Sequence, residues 1–179
     1  MKRRHLLLAS AGIPMTQLSG CASPSIADLA NERPLLDLKQ YFAGRVMAHG
    51  VFQDRFGKVV KRFTVQIDGR WQAEEGELDE RFSYSDGSTQ RRVWRLKHLG
   101  NGRWQGQADD VVGLASGEAA GNALNWRYTL RLPIDGRDWE VQFDDWMWLV
   151  DERVLLNRAV MSKFGVTLGE VLISFTRAP

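Results

Sequence analysis

The residue types best suited to chemistry are concentrated in one acidic and aromatic segment in the second half of the chain. Residues 139–150 place Asp144, Asp145, Trp146 and Trp148 within five positions. In a strand, successive side chains point to opposite faces. Asp145 therefore shares a face with apolar neighbours, and the two tryptophans share the other face. Tryptophans that pack on a ligand and an aspartate that orients it are typical of a small-molecule pocket. The alternative is a strand between two packed layers.

Two further residues on flanking segments extend this candidate site. Trp126 lies in a preceding apolar segment, and Arg158 lies on the segment that would form a hairpin with residues 139–150. Across that hairpin, Arg158 would pair with a carboxylate of Asp144 or Asp145, a contact worth little if it is exposed to water. We predict that the following residues contribute to a ligand site: Trp126, Asp145, Trp146, Trp148 and Arg158.

Catalytic and metal-binding patterns are not evident. Asp109 and Asp110 could share acid–base work or bind a metal. Adjacent strand positions point apart, however, so a turn or a solvated edge is favoured. His49 and His98 are not clustered with zinc ligands, and no nucleophile elbow or phosphate-binding loop occurs. The sequence predicts no catalytic residue, no metal and no cofactor. An enzyme is the least favoured alternative and would need one of the paired aspartates beside a histidine.

The single cysteine, Cys21, has a distinctive context. A basic segment, residues 2–4, is followed by an apolar segment, residues 6–18, that is too short to span a bilayer. The sequence Leu18-Ser19-Gly20-Cys21 resembles the bacterial lipobox, in which small residues admit the signal peptidase and the thiol receives a diacylglyceryl group. Residues 1–20 are predicted to be a lipoprotein signal peptide and Cys21 the lipidation site. A buried, inert cysteine is the alternative.

Lipidation predicts the location of the protein. Several acyl chains, such as palmitate, anchor a protein firmly, whereas one chain binds marginally. Because Ala22 and not aspartate follows the cysteine, we expect the periplasmic face of the outer membrane in the cell envelope. Arg3-Arg4 leaves general and twin-arginine export open. Without residues 2–4 the basic count falls from 24 to 21 against 22 acidic residues. This near-neutral balance argues against a nucleic-acid partner.

The remainder of the chain is dominated by strand patterns. Residues 59–67 alternate apolar and polar side chains, as expected for a half-buried strand. Turn dipeptides occur at Asp68-Gly69, Asp86-Gly87, Asn101-Gly102 and Asp135-Gly136. Long helical periodicity is not found. The predicted strands are Arg45–Gln53, Val59–Ile67, Glu77–Tyr84, Thr89–Leu99, Arg103–Gln107, Val111–Ser116, Ala123–Leu132, Trp139–Val150, Val154–Met161 and Thr167–Thr176.

About ten short strands in one chain must protect their edges. We predict an all-β fold, an antiparallel meander that closes into a calycin-like or lipocalin-like barrel, with a β-sandwich as the alternative. Residues 21–34 are expected to be a lipidated tether and residues 35–179 a single barrel domain. Residues 35–42 would form a helical turn or a lead-in.

Five segments of the chain form a recognisable set: Gly50–Val59, Ser85–Trp94, Ala108–Asn122, Asp144–Leu149 and Asn157–Gly165. They resemble a family of uncharacterised proteobacterial lipoproteins, known as domain of unknown function 3833. The resemblance spans roughly residues 40–176, and the family's lipobox matches residues 18–21. It implies membership and location but no catalytic residue.

Three functions follow from these observations as hypotheses. The favoured one is a membrane-anchored module that binds a small apolar or amphipathic ligand, such as a lipid. The second is an envelope structural or assembly protein that contacts a partner, of unknown identity, through its outer surface. The third is an enzyme.

Overall fold

The computed structural model describes residues 25–134 and 136–177, which form a ten-stranded antiparallel barrel. The predicted signal peptide and Cys21 lie outside these residues. A short 3₁₀ helix, Ile26–Leu29, and the single-turn helix α1, Leu38–Tyr41, precede the first strand. The strands are β1 Gly44–Asp54, β2 Val59–Gln72, β3 Glu75–Tyr84, β4 Thr89–Gly100, β5 Arg103–Gln107, β6 Ala115–Ala120, β7 Ala123–Ile134, β8 Arg137–Leu149, β9 Val154–Lys163 and β10 Val166–Arg177.

The sheet closes on itself because β1 pairs with both β2 and β10. Each strand of the described chain therefore has two hydrogen-bonded neighbours along at least part of its length, which protects its edges. The predicted antiparallel barrel is confirmed. This strand order follows from the sequence, because short strands joined by tight turns pair most readily with their neighbours in the chain.

Alternation along each strand separates an inner face from an outer face. In β2, Phe63, Val65 and Ile67 are buried inside the barrel, whereas Arg62 and Thr64 are exposed on its outer wall. The buried side chains of all ten strands form the core. Polar side chains on the inner face are therefore exceptions that require partners.

One end of the barrel, the closed end, is plugged by α1. The single proton of the Tyr41 hydroxyl is shared between the backbone carbonyls of Arg153, at 2.9 Å, and Phe175, at 3.1 Å. Phe42 packs edge-on against the Phe175 ring, 5.9 Å away. Leu36 and Leu38 are buried beside them. The helix thus closes the end at which the chain enters the barrel.

The opposite end, the open end, carries alternate turns of the meander. These are residues 55–58, 85–88 and 164–165, the β7–β8 turn and the long connection 108–114. Inner side chains near this end, including Phe82, Tyr84 and Tyr128, are only partly buried. The barrel interior is therefore reached from one end.

Strand bounds follow the prediction closely, with two corrections. Asp68-Gly69 lies within β2 and is not a turn, because β2 continues to bring Trp71 against Trp104, with ring centroids 5.8 Å apart. The sixth strand is Ala115–Ala120 and not Val111–Ser116. Val111 instead forms an isolated bridge with Leu130.

The composition of β6 has a packing reason. The Trp126 ring lies against the backbone of Gly117 on β6 and Gly106 on β5, and a methyl group at either glycine would overlap the ring. A large apolar side chain at these positions would displace Trp126. This is why β6 lacks the apolar alternation that marks the other strands.

Part of the predicted tether packs on the barrel. The 3₁₀ helix contacts β6 and β7 at the closed end, and the Leu36 amide donates to the Gly121 carbonyl at 2.8 Å. Within residues 25–134 and 136–177, no helix has the length and apolar character needed to cross a bilayer.

Candidate functional site

Six polar side chains cluster inside the barrel and are called the interior polar cluster. They belong to β3, β4, the β5–β6 connection, β7, β8 and β9. Each strand member occupies a position that alternation directs inward, among aromatic and aliphatic side chains. The members are Glu80, Arg92, Asp110, Tyr128, Asp145 and Asn157.

Arg92 and Asp110 form the charged part of the cluster. The Arg92 Nη2 and Nε atoms lie 2.7 and 2.9 Å from Asp110 Oδ2, and Nη1 lies 3.9 Å from Glu80 Oε2. The Arg92 and Asp110 side chains are 15% and 24% exposed, so water reaches them from the open end. Nε also lies 3.1 Å from Asp110 Oδ1, so the guanidinium contacts both carboxylate oxygens, an arrangement that strengthens arginine–carboxylate pairs.

Asp145 forms the deeper part. It accepts hydrogen bonds from the Asn157 amide, through Oδ1, and from the Tyr128 hydroxyl at 3.4 Å, through Oδ2. Burial raises the pKa of Asp145 to about 7, and the two hydrogen bonds only partly offset it. Asp145 therefore lies near the midpoint of its titration at neutral pH.

Glu80 titrates in the same range. Burial raises its pKa to about 7 despite the attraction of Arg92, and the carboxylates of Asp110 and Asp145 raise it further. A protonated carboxyl group donates a hydrogen bond, whereas an ionised one only accepts. Below neutral pH the cluster therefore offers two acid donors beside a paired guanidinium.

Aromatic rings surround these polar groups. The Tyr128 ring stacks on Phe143 at 4.9 Å, and Trp94 meets Tyr128 edge-on at 5.4 Å. The Arg92 guanidinium lies 5.5 Å from the Phe82 ring centroid. Apolar walls with a few convergent polar groups are the usual construction of a small-molecule site.

A second concave surface lies on the outer wall, across β8, β9, β10, β1, β2 and β3. This outer groove has a volume of about 870 Å³, and most of its lining side chains point outward. Its apolar part is formed by Trp148, Leu156, Leu172 and Val51. Trp146 stacks on Trp148 with ring centroids 6.0 Å apart.

A family model for proteins of unknown function, DUF3833, matches residues 15–177. The chain belongs to this family. No curated protein matches it. The fold resembles an S-type phycobiliprotein lyase from Guillardia theta, with a TM-score of 0.57, 7% identity and coverage of 79% of this chain and 90% of the lyase. It also resembles a DUF3598 protein of unknown function from Nostoc punctiforme, with a TM-score of 0.55 and 14% identity.

This match covers 82% of the present chain and about half, 51%, of the Nostoc protein. At these identities the two likenesses describe the fold alone. They place this family member among single-layer barrels whose strands enclose an interior.

The structure divides the five predicted ligand residues between two surfaces. Trp126 and Asp145 lie inside the barrel, and Trp126 is packed between β5, β6 and Trp94. Trp146, Trp148 and Arg158 lie on the outer wall. A single pocket cannot contain both groups, because odd and even positions of β8 face opposite sides of the sheet.

The partner predicted for Arg158 is corrected. Its guanidinium forms two bonds with Glu170 on β10, of 2.7 and 2.8 Å, and not with Asp144 or Asp145. Arg158 and Asp145 belong to opposite faces. Asp144, on the outer wall, lies 3.4 Å from Arg127.

The histidine–carboxylate pairs that an enzyme would need are not formed by the predicted residues in the described chain. His49 faces outward beside the outer groove. His98 Nδ1 lies 2.6 Å from Glu74 Oε2 near the closed end. Asp109 is exposed and Asp110 is bound to Arg92. The described residues also contain no group of three or more metal-ligating side chains.

Glu80, Arg92 and Tyr128 were not identified from the sequence. Two adjacent arginines, here Arg91 and Arg92, are typical of a solvated surface, but Arg92 points inward and its side chain is 15% exposed. The sequence carries a signal for two of them. Glu80 lies between Leu78 and Phe82 on the same strand face, and Arg92 shares a face with Trp94, two residues later. A charged residue in register with an apolar strand face predicts a buried polar site.

Proposed function

We propose that this chain is a lipid-anchored barrel that binds a small amphipathic ligand through its open end. The observation that carries the proposal is the interior polar cluster, which is set among aromatic rings and is reached by water from one end. The ligand would place its apolar body against Phe82, Phe143 and Tyr128. Its oxygen-bearing head group would meet Arg92 and the carboxyl group of Glu80. A fatty acid or another single-chain lipid has this construction.

The charges of the cluster favour this orientation. Arg92 and Asp110 neutralise each other, so a neutral Glu80 and Asp145 leave the cluster without net charge below neutral pH. Ionisation of the two acids above about pH 7 adds negative charge next to the head group. A carboxylate ligand should therefore bind more tightly at about pH 6 than at about pH 8.

Titration with a dansyl-labelled fatty acid tests the site. Arg92→Gln should weaken binding about tenfold because it removes the inner cation. Arg91→Gln is the matched control, since Arg91 is the next residue but points outward and binds Asp79 at 2.8 Å. Glu80→Gln should preserve binding and reduce its pH dependence, because the amide cannot ionise.

Trp148→Ala distinguishes binding in the interior from binding in the outer groove. If the probe binds inside, this substitution leaves its affinity unchanged. Equal affinities of the Arg92→Gln and Arg91→Gln proteins, or a loss confined to Trp148→Ala, would place the ligand elsewhere and refute the interior site.

The anchor is proposed from the lipobox-like residues 18–21. Labelling of cells with radioactive palmitate should mark the wild-type chain. Cys21→Ser should abolish the label and release the protein from membranes. A labelled Cys21→Ser protein would contradict lipidation at this residue.

The second candidate function is contact with an envelope partner through the outer wall. The outer groove favours it, because Trp146, Trp148 and Leu156 place apolar surface on that wall. Crosslinking from residue 156 in intact membranes should then recover one defined partner. An unchanged crosslinking pattern after Trp148→Ala would argue against this role.

A further inference from the structure

Exposed apolar side chains are gathered at the turns of the open end, and we call them the apolar rim. The exposed aromatic residues of the described chain are Phe56, Phe164 and Trp139, at 79%, 90% and 37% exposure. All three belong to hairpins that turn at the open end. Exposed large side chains elsewhere, such as Leu35 and Val150, are aliphatic. The rim consists of Phe56, Val59, Val60, Trp139, Phe164 and Val166.

The β1–β2 turn holds Phe56 outward in a defined geometry. Asp54 Oδ1 accepts hydrogen bonds from the Phe56 amide at 2.9 Å and the Lys58 amide at 3.0 Å. The Gly57 amide donates to the Asp54 carbonyl at 2.9 Å. The ring is thus presented by a fixed turn.

The β9–β10 turn presents Phe164 at a conformational cost. Phe164 and Gly165 have φ values of 52° and 77°, the pattern of a two-residue turn that favours Asn-Gly. The chain uses Asn101-Gly102 at the corresponding position of the β4–β5 hairpin, with φ values of 52° and 72°. A phenylalanine in this conformation, with its ring in solvent, has no explanation in packing.

Cations accompany these rings. The Arg55 guanidinium lies 4.7 Å from the Phe56 ring centroid. Lys163 Nζ lies 5.0 Å from the Phe164 ring and 4.8 Å from the Trp139 ring. Lys58 adds a further cation at the β1–β2 turn. Arg55, Lys58 and Lys163 outnumber Asp54, the one acid of these two turns, so the two neighbouring hairpins present a net positive surface. The hairpin of Trp139 carries Arg137 with Asp138 and Glu140 and adds no positive charge.

We propose that the apolar rim docks the open end of the barrel on the surface of an anionic phospholipid bilayer. Rings at turn tips would enter the boundary between head groups and acyl chains, and the cations beside them would meet the lipid phosphates. A soft bilayer accommodates separate protruding tips, whereas a protein partner needs a continuous complementary surface. Docking would set the mouth of the barrel against lipid. It does not depend on the interior ligand site.

A site-specific fluorophore tests the rim directly. Cys21 is the only cysteine, so the full chain with Cys21→Ser accepts one new thiol. Val166→Cys in this background carries an environment-sensitive dye beside Phe164. Leu35→Cys is the matched control, because Leu35 has a similar exposure of 60% but lies near the closed end.

Vesicles of equal parts phosphatidylcholine and phosphatidylglycerol should shift the emission of the residue 166 label to the blue and leave the residue 35 label unchanged. Adding Phe56→Ser and Phe164→Ser should weaken the vesicle response about thirtyfold. Lys58→Glu with Lys163→Glu should weaken it on these vesicles and not on pure phosphatidylcholine.

Equal shifts at residues 35 and 166, or no shift at residue 166, would overturn the proposal. An undiminished response of the Phe56→Ser, Phe164→Ser protein would do the same. Binding of the dansyl-labelled fatty acid, measured without vesicles, should be retained by these variants because the substituted side chains lie outside the interior. If Arg92→Gln loses fatty-acid binding and keeps the vesicle response, the rim acts independently of the interior ligand site. The two proposals can therefore fail separately.

Discussion

Asp145 should make the stability of the barrel fall as the pH rises through neutrality. In the unfolded chain its pKa is near the ordinary value of 3.8, and burial raises it to about 7 in the fold. Between these values the folded protein binds the proton and the unfolded chain does not. The stabilising effect of this proton is complete below the unfolded pKa and is lost as the pH rises through the folded pKa.

The size of the effect follows from the difference between the two pKa values. Each unit corresponds to about 1.4 kcal/mol of free energy. Between about pH 5 and about pH 8, ionisation of Asp145 should remove roughly 3 kcal/mol from the free energy of unfolding. The side chain is only 6% exposed, so screening by solvent is small. Asp145→Asn retains a carbonyl acceptor for Asn157 and cannot ionise.

Urea unfolding at these two pH values measures the effect. Relative to the wild type, Asp145→Asn should gain roughly 3 kcal/mol of stability on going from the lower to the higher pH. Asp144→Asn is the control, because Asp144 is the adjacent carboxylate on the outer wall and is 51% exposed. A wild-type pH dependence in Asp145→Asn, or an equal change in Asp144→Asn, would refute the assignment of a raised pKa to this buried carboxyl.

Three further substitutions test the packing and the turns. Gly117→Ala should lower the free energy of unfolding by about 1–3 kcal/mol, because the new methyl group overlaps Trp126. Ser116→Ala, on the outer face, should change it by less than about 0.5 kcal/mol. Similar losses for the two variants in urea unfolding would contradict this packing. Phe164→Asn should stabilise the protein by about 1 kcal/mol, since asparagine accepts the positive φ, while weakening the vesicle response. A destabilised Phe164→Asn protein would show that the ring has a packing role. Tyr41→Phe should cost about 1 kcal/mol, because it removes the hydroxyl donor from the closed end while the Arg153 carbonyl keeps its bond from the Arg177 amide. Unchanged urea unfolding would show that the hydroxyl does not hold the plug.

The strands could be predicted from the sequence because the patterns that mark them are local. Alternation in residues 59–67 and the Asn101-Gly102 turn depend on neighbouring residues, and each predicts its element without knowledge of the rest. β5 was predicted with its exact bounds. β6 was misplaced because its small residues are dictated by Trp126, which comes from another strand.

Only part of the candidate site could be predicted from the sequence. The faces of β8 were assigned correctly, so Asp145 and Trp146 were known to point in opposite directions. Which face was the interior depended on closure between β1 and β10, which joins residues over 100 positions apart in the sequence. The same closure brings Glu80, Arg92 and Asp110 towards Asp145.

The sequence by itself determined the antiparallel meander, the alternating faces of its strands and the lipobox-like context of Cys21, because each is written in residues that are close together in the chain. Only the tertiary structure decided that Arg92 is inside and Trp148 outside, and that Phe56 and Phe164 share one end. Those relations arise when the last strand pairs with the first. Closure selects one face of every strand as the interior and brings alternate turns to the same rim.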